Sequence, residues 1–106
     1  MPTLVQFDFP MKGPWGDEMA DAFKDLAGII GRTPGLRWKI WTENEQDESG
    51  GGIYLFEDEE SALAYVEEHT ARLEGFGVTD IRARVFHVNE PLTELTRGPL
   101  APVEPE

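Results

Sequence analysis

Apolar and polar residues recur along the chain with two distinct periods. Residues 3–9 (TLVQFDF) are rich in β-formers and alternate in part, with Val5, Phe7 and Phe9 set against Leu4, Gln6 and Asp8, so they read as a strand. Lys12-Gly13-Pro14-Trp15-Gly16 breaks that strand, and Asp17 then sits where a helix N-cap belongs. Met19, Ala22, Phe23, Leu26 and Ile30 follow at i, i+3, i+4, i+7 and i+11. That spacing predicts one helix with one buried stripe. It ends near Gly31, and Thr33-Pro34-Gly35 forbids its continuation.

Residues 36–43 (LRWKIWTE) alternate again, with Leu36, Trp38 and Ile40 on one face and Arg37, Lys39, Trp41 and Glu43 on the other. The first face is the more apolar, so Trp38 is expected to face the helices. A register slip of one residue would exchange it with Trp41. Residues 44–49 read as a turn, Gly50-Gly51-Gly52 as a flexible lead-in, and residues 53–56 (IYLF) as a third strand. Asp58, Glu59 and Glu60 place acid in the first turn of a second helix, where the macrodipole favours it. Its stripe is Ala62, Tyr65, Val66, His69, Thr70 and Leu73, and Gly75-Phe76-Gly77 ends it. Residues 78–88 supply a last strand, with Arg82 and Arg84 alternating against Ile81, Ala83 and Val85. Residues 92–95 read as a turn or arm. The Pro/Glu-rich tail from Gly98 is expected to be disordered.

The order β-α-β-β-α-β predicts a ferredoxin-like α+β domain over residues 1–97, a four-stranded antiparallel sheet with two helices on one face. Both sheet faces carry large apolar side chains, and two helices cover only one of them. The uncovered face would exceed the few hundred Å² of apolar patch that monomers tolerate, which predicts a homodimer packed sheet on sheet.

Charge narrows the partners. Nine Lys+Arg against 21 Asp+Glu give a net charge of −12 over 106 residues, which argues against nucleic acid and against an anionic membrane surface. The longest apolar stretch, Leu26-Ala27-Gly28-Ile29-Ile30, is far short of the roughly 20 residues a spanning helix needs. The start, Met1-Pro2-Thr3-Leu4, has no signal-peptide pattern, so a cytoplasmic setting is expected. With no cysteine, disulfides, zinc-thiolate sites, iron–sulfur clusters and thiol nucleophiles are excluded.

Two histidines bound the metal chemistry. His69 shares the apolar stripe of the second helix, where a hydrogen-bonded core histidine is the bland reading. The setting of Gln6, Trp38, Trp41, Tyr54 and Tyr65 on neighbouring elements instead suggests an apolar pocket with a few orienting polar groups, although each aromatic taken singly reads as core. His69, His87 and Asp8 offer the residue types of a non-haem iron triad, but nothing in their spacing supports it. His69 alone would suffice as a haem ligand. Gly50-Gly51-Gly52 precedes a strand, so it cannot present a helix N-terminus to phosphate. The acidic run Glu57-Asp58-Glu59-Glu60 reads as solvated helix-start charge, with calcium as the alternative. No metal, flavin or nicotinamide is expected.

Several blocks together carry a family resemblance: Gly13-Pro14-Trp15-Gly16-Asp17, the run from Pro34 through Glu43 (PGLRWKIWTE), Gly51-Gly52-Ile53-Tyr54-Leu55-Phe56, Ser61-Ala62-Leu63-Ala64-Tyr65, His69-Thr70-Ala71-Arg72-Leu73 and Val88-Asn89-Glu90-Pro91-Leu92. Over residues 3–95 the chain resembles the YdhR family of mono-oxygenases. The Pro/Glu-rich C-terminus and the acidic turn at Asp47-Glu48 depart from the pattern without touching these blocks. The resemblance implies a dimeric α/β barrel related to the antibiotic-biosynthesis monooxygenases, which oxidise polycyclic phenols to quinones without a cofactor. On that reading His69 is the catalytic base, Gln6, Tyr54 and Tyr65 hold substrate oxygens, and Trp38 and Trp41 stack on the ring of a small aromatic substrate, with dioxygen as co-substrate. The alternatives are a non-catalytic small-molecule binder and a haem-binding or haem-degrading protein of the same fold.

Overall fold

The computed structural model describes residues 1–101. Its elements are β1 (Thr3–Pro10), α1 (Gly16–Ala22), α2 (Lys24–Gly31), β2 (Leu36–Asn44), β3 (Ser49–Phe56), α3 (Glu59–Gly75), β4 (Arg82–His87) and α4 (Glu90–Leu95). All strand pairs are antiparallel, in the order β2-β3-β1-β4. With α1 and α2 as the first helical connection and α3 as the second, this is the ferredoxin-like arrangement expected.

Period two in the strands fixes what each face carries. Thr3, Val5, Phe7 and Phe9 of β1 meet Phe56, Tyr54, Gly52 and Gly50 of β3 on the inner face. The core of Val5, Phe7, Ile30, Tyr54, Phe56, Ala62, Tyr65 and Leu73 forms between that face and the helices. Helix α3 starts where Asp58 accepts a hydrogen bond from the Ser61 backbone N–H at 2.8 Å, with Glu59 and Glu60 in its first turn. Ala62, Tyr65, His69 and Leu73 form its buried stripe, as their spacing predicts.

Local structure departs from the expected pattern in six places. The first helix is two pieces, broken at Phe23 (φ −106°, ψ 12°), and it starts at Gly16 with Trp15 at the N-cap, leaving Asp17 in the first turn. Gly50-Gly51-Gly52 is not a flexible lead-in but part of β3. A β-bulge between Leu36 and Trp38 shifts the register of β2, so Leu36 pairs with Phe56 while Trp38 pairs with Leu55. The last strand is shorter than expected, since Asp80 (φ 54°) turns the chain just before it. Residues 90–95 close into α4, capped by the Asn89 side chain, which accepts from the Leu92 N–H at 3.2 Å. Finally, Pro99 and Leu100 lie against β2, their carbonyls accepting from Trp38 Nε1 and an Arg37 Nη. The expectation of disorder from Gly98 therefore does not hold there; the remainder of that tail, 102–106, lies outside the described residues.

The outer sheet face is thus partly covered by the chain's own C-terminal segment, which together with Leu4, Trp38, Leu55 and Phe86 lines a shallow hollow. Ile40 (54% exposed) and Phe86 (38%) stay open on that face.

Candidate active site

A pocket of about 500 Å³ opens between the inner sheet face and the helices. Its walls come from α1, α2 and the break between them (Met19, Leu26 and Phe23), from the segment after β1 (Met11, Pro14), and from the residues around the end of α3 (Leu73, Phe76, Val78). Polar chemistry enters through Lys39 of β2, Tyr54 of β3 and His69 of α3.

The glycines of β3 make this space. Trp41 pairs with Gly52 and Lys39 with Tyr54. A Cβ on Gly52 would lie 2.6 Å from Lys39 Cε, and one on Gly50 2.9 Å from Met11 Sδ. The missing side chains let Trp41 and Lys39 lie over β3. Trp41 stacks on Phe23 (ring centroids 6.2 Å apart, planes at 19°). Lys39 Nζ sits 3.4 Å from the Trp41 ring centroid and 4.7 Å from that of Tyr54. It makes no ion pair among the described residues.

His69 is 3% exposed, stacked on Tyr65 (4.9 Å, 18°) with the Phe7 ring edge-on to it at 5.1 Å. An Arg72 Nη donates to its Nδ1 at 3.0 Å, one turn along α3, and the other Arg72 Nη bonds Glu68 at 3.0 Å. A guanidinium can only donate, so Nδ1 is the acceptor and the neutral ring carries its proton on Nε2. Burial, with Lys39 and Arg72 adding to it, lowers the His69 pKa to about 3. The imidazole is therefore neutral near pH 7 and poor at taking up a proton. Burial chiefly, then Arg72, brings Lys39 down from 10.5 to about 7. Burial likewise pushes the Tyr54 hydroxyl well above its ordinary value and that of Tyr65 up to about 12, so both stay protonated.

Of the six residues singled out in the sequence, the structure brings His69, Tyr54 and Trp41 together at the pocket. Three stand elsewhere. Gln6 is exposed on the outer face opposite Ile53 and Arg84, because it alternates with the inward Val5 and Phe7. Trp38 lies on the outer face bonded to Pro99, because the bulge in β2 removes it from the face of Leu36. Tyr65 is buried in the core behind Tyr54 and His69, with its hydroxyl unpartnered. His87 is exposed and bonds Glu59 at 3.2 Å, while Asp8 pairs with Arg82. Among the described residues no three His, Asp or Glu side chains gather as metal ligands. Lys39 was not singled out; its signal was its alternation with Trp41, which forces both to the same face.

A family profile described as "Putative mono-oxygenase ydhR" matches residues 4–99. Comparison with curated proteins gives no match. Among solved structures the chain is similar to a point mutant of SnoaB, a cofactor-independent oxygenase from Streptomyces nogalater, with a TM-score of 0.59 and 17% identity. That alignment covers 83% of this chain and 93% of SnoaB. At such identity the likeness establishes the fold alone.

Proposed function

Because the chain belongs to the ydhR mono-oxygenase family, we propose that its inner pocket is a cofactor-independent oxygenase site for a small hydroxylated aromatic compound. The observation that carries this reading is the pocket wall itself. It is an apolar, aromatic-lined space of about 500 Å³ whose titratable groups are one lysine, one tyrosine and one neutral histidine. Such a site stacks a planar ring and leaves hydrogen-bond donors for its oxygens.

Triplet dioxygen reacts poorly with closed-shell molecules, whereas an electron-rich anion can give it one electron. With anthrone as the test compound, reacting through its phenolic enol tautomer, loss of the O–H proton leaves an anion that reduces dioxygen to superoxide. The two radicals join at the ring carbon, the peroxide anion takes back the proton removed at the start, and the hydroperoxide loses water to leave the quinone. Overall, anthrone plus O₂ gives anthraquinone plus H₂O. The protein's part is to generate the anion, orient it and keep it dry. In this reading Trp41 stacks on the ring, and the Tyr54 and His69 N–H or O–H groups hold its oxygens.

The homodimer belongs to this proposal too. Its support is the open apolar area around Ile40 and Phe86 beside the C-terminal segment. A cytoplasmic setting, suggested by the cysteine-free composition, goes with it. Incubation with anthrone or a dihydroxynaphthalene under an oxygen electrode tests the function. Saturable binding without oxygen uptake would make the protein a binder, and a Soret shift on adding haemin would favour the haem alternative.

A further inference from the structure

The chain carries a net charge of −12, yet no carboxylate lines the pocket among the described residues. The charge that does reach it is positive. Lys39 Nζ lies across the Trp41 and Tyr54 rings, and Arg72 stands behind His69. Glu68 lies on the far side of Arg72, exposed and bonded to it. From α1, α2 and the break between them the pocket receives Met19, Ala22, Phe23 and Leu26, and from β1 it receives Phe9, none of them charged. An apolar pocket with a cationic floor in an acidic protein is built to hold an anion.

We propose that Lys39 is the catalytic residue that takes the proton from a bound phenolic substrate, and that His69, fixed by Arg72 as an Nε2–H donor, holds the oxygen left behind. The inference rests on the oxygenase reading above and assigns the base within it. The substrate O–H bond breaks, its electron pair stays on oxygen, and the proton forms a new N–H bond at Nζ. The product is an ammonium–phenolate pair, so charge is conserved.

Two features make Lys39 the acceptor rather than His69. The lone pair of His69 Nδ1 is already engaged by Arg72, and its other nitrogen carries a proton. Lys39, lowered to about 7, is divided between ammonium and free amine near neutral pH, whereas an ordinary lysine at 10.5 would be almost wholly protonated. The positive field that disfavours a second cation also favours ionisation of a bound phenol, whose ordinary value lies near that of tyrosine, about 10. Once formed, the ammonium is held by the faces of Trp41 and Tyr54. Gly52 supplies the room, since any side chain there would strike Lys39 Cε.

The proton step can be read without oxygen. 2-Naphthol is titrated anaerobically into the intact protein at neutral pH, and the red-shifted naphtholate band is followed. The wild type is expected to bind the anion, Lys39→Met to bind neutral naphthol, and Lys39→Arg, which keeps a cation but cannot accept a proton, to lose the coupled rise of the band near pH 7. His69→Gln, which retains a donor, should keep the anion better than His69→Phe. In aerobic turnover Lys39→Met should lower kcat/KM by at least about 100-fold. Naphthol bound in its neutral form by the wild type, a naphtholate band undiminished in Lys39→Met, or no naphthol binding at all would each overturn the assignment. A naphtholate complex in the wild type that consumes no oxygen once air is admitted would uphold Lys39 as the base while refuting the oxygenase reading.

Discussion

His69 and Lys39 are both basic groups held below their ordinary values, so the folded state resists protonating them. For His69 the unfolded chain takes up a proton below pH 6.5 and the folded chain only below about 3. Between those values the unfolded state binds more protons, so this contribution to stability falls as pH drops from 6.5 towards 3. For Lys39 the corresponding window runs from about 7 to 10.5, and its contribution rises with pH across it. Urea denaturation at a series of pH values should therefore show a shallower slope above neutrality in Lys39→Met than in the wild type. Equal slopes would mean that Lys39 titrates as it does in the unfolded chain. Tyr65 offers a second test, because its buried hydroxyl has no partner. Tyr65→Phe should hold or raise the melting temperature, by about 1 kcal/mol of stability at most, since an unsatisfied buried hydroxyl costs roughly that much. A marked fall would reveal a partner for that hydroxyl. These properties were not legible in the chain: the stripe of α3 announced that His69 is buried, but only the position of Arg72 one turn on fixes its tautomer.

Strand β3 shows how an element can be shaped by what it lacks. Its three glycines looked like a loop, because glycine weakens strands and supplies no side chain to pack. In the sheet each has a separate reason. A Cβ on Gly51 would lie 1.9 Å from the Phe7 carbonyl oxygen, a backbone atom that cannot step aside, whereas one on Gly52 would strike the flexible end of Lys39 at 2.6 Å and approach the Ile40 carbonyl oxygen only to 3.2 Å. Gly51→Ala should thus cost several kcal/mol or prevent folding, while Gly52→Ala should fold and lose naphthol affinity by displacing Lys39. Comparing the melting temperatures of the two variants checks this, and a Gly51→Ala protein as stable as Gly52→Ala would contradict the observed pairing of β1 with β3. Strand β2 teaches a related lesson. Its more apolar face, Trp38 and Ile40, turned out to be the outer one, because the bulge after Leu36 reverses the alternation and because the pocket places a lysine on the inner side. Apolarity located the sheet and the helix stripes, whose burial follows from period alone. It could not orient a strand whose inner face lines a site rather than the core.

For the molecule as a whole, the proposed homodimer would form on the outer face. Leu55 is buried there even in the single chain, but Ile40 and Phe86 remain open, and the segment carrying Pro99 and Leu100 is held by Arg37 and Trp38. Sedimentation at micromolar concentration should give twice the chain's mass of 11.9 kDa; a stable monomer would mean that the C-terminal segment suffices as cover. Truncation after Arg97 should lower the melting temperature, because it removes the acceptors of both β2 bonds and uncovers Trp38. The pocket lies on the opposite face, so its chemistry can be tested whatever the assembly. The most direct measurement is oxygen consumption with anthrone by purified wild-type and Lys39→Met protein, alongside product analysis. Wild-type protein should consume one O₂ for each anthraquinone formed, with no added cofactor, and the variant should fall to near the uncatalysed rate. Anthrone that binds saturably while oxygen uptake stays at the uncatalysed rate in both proteins would contradict an oxygenase site in this pocket.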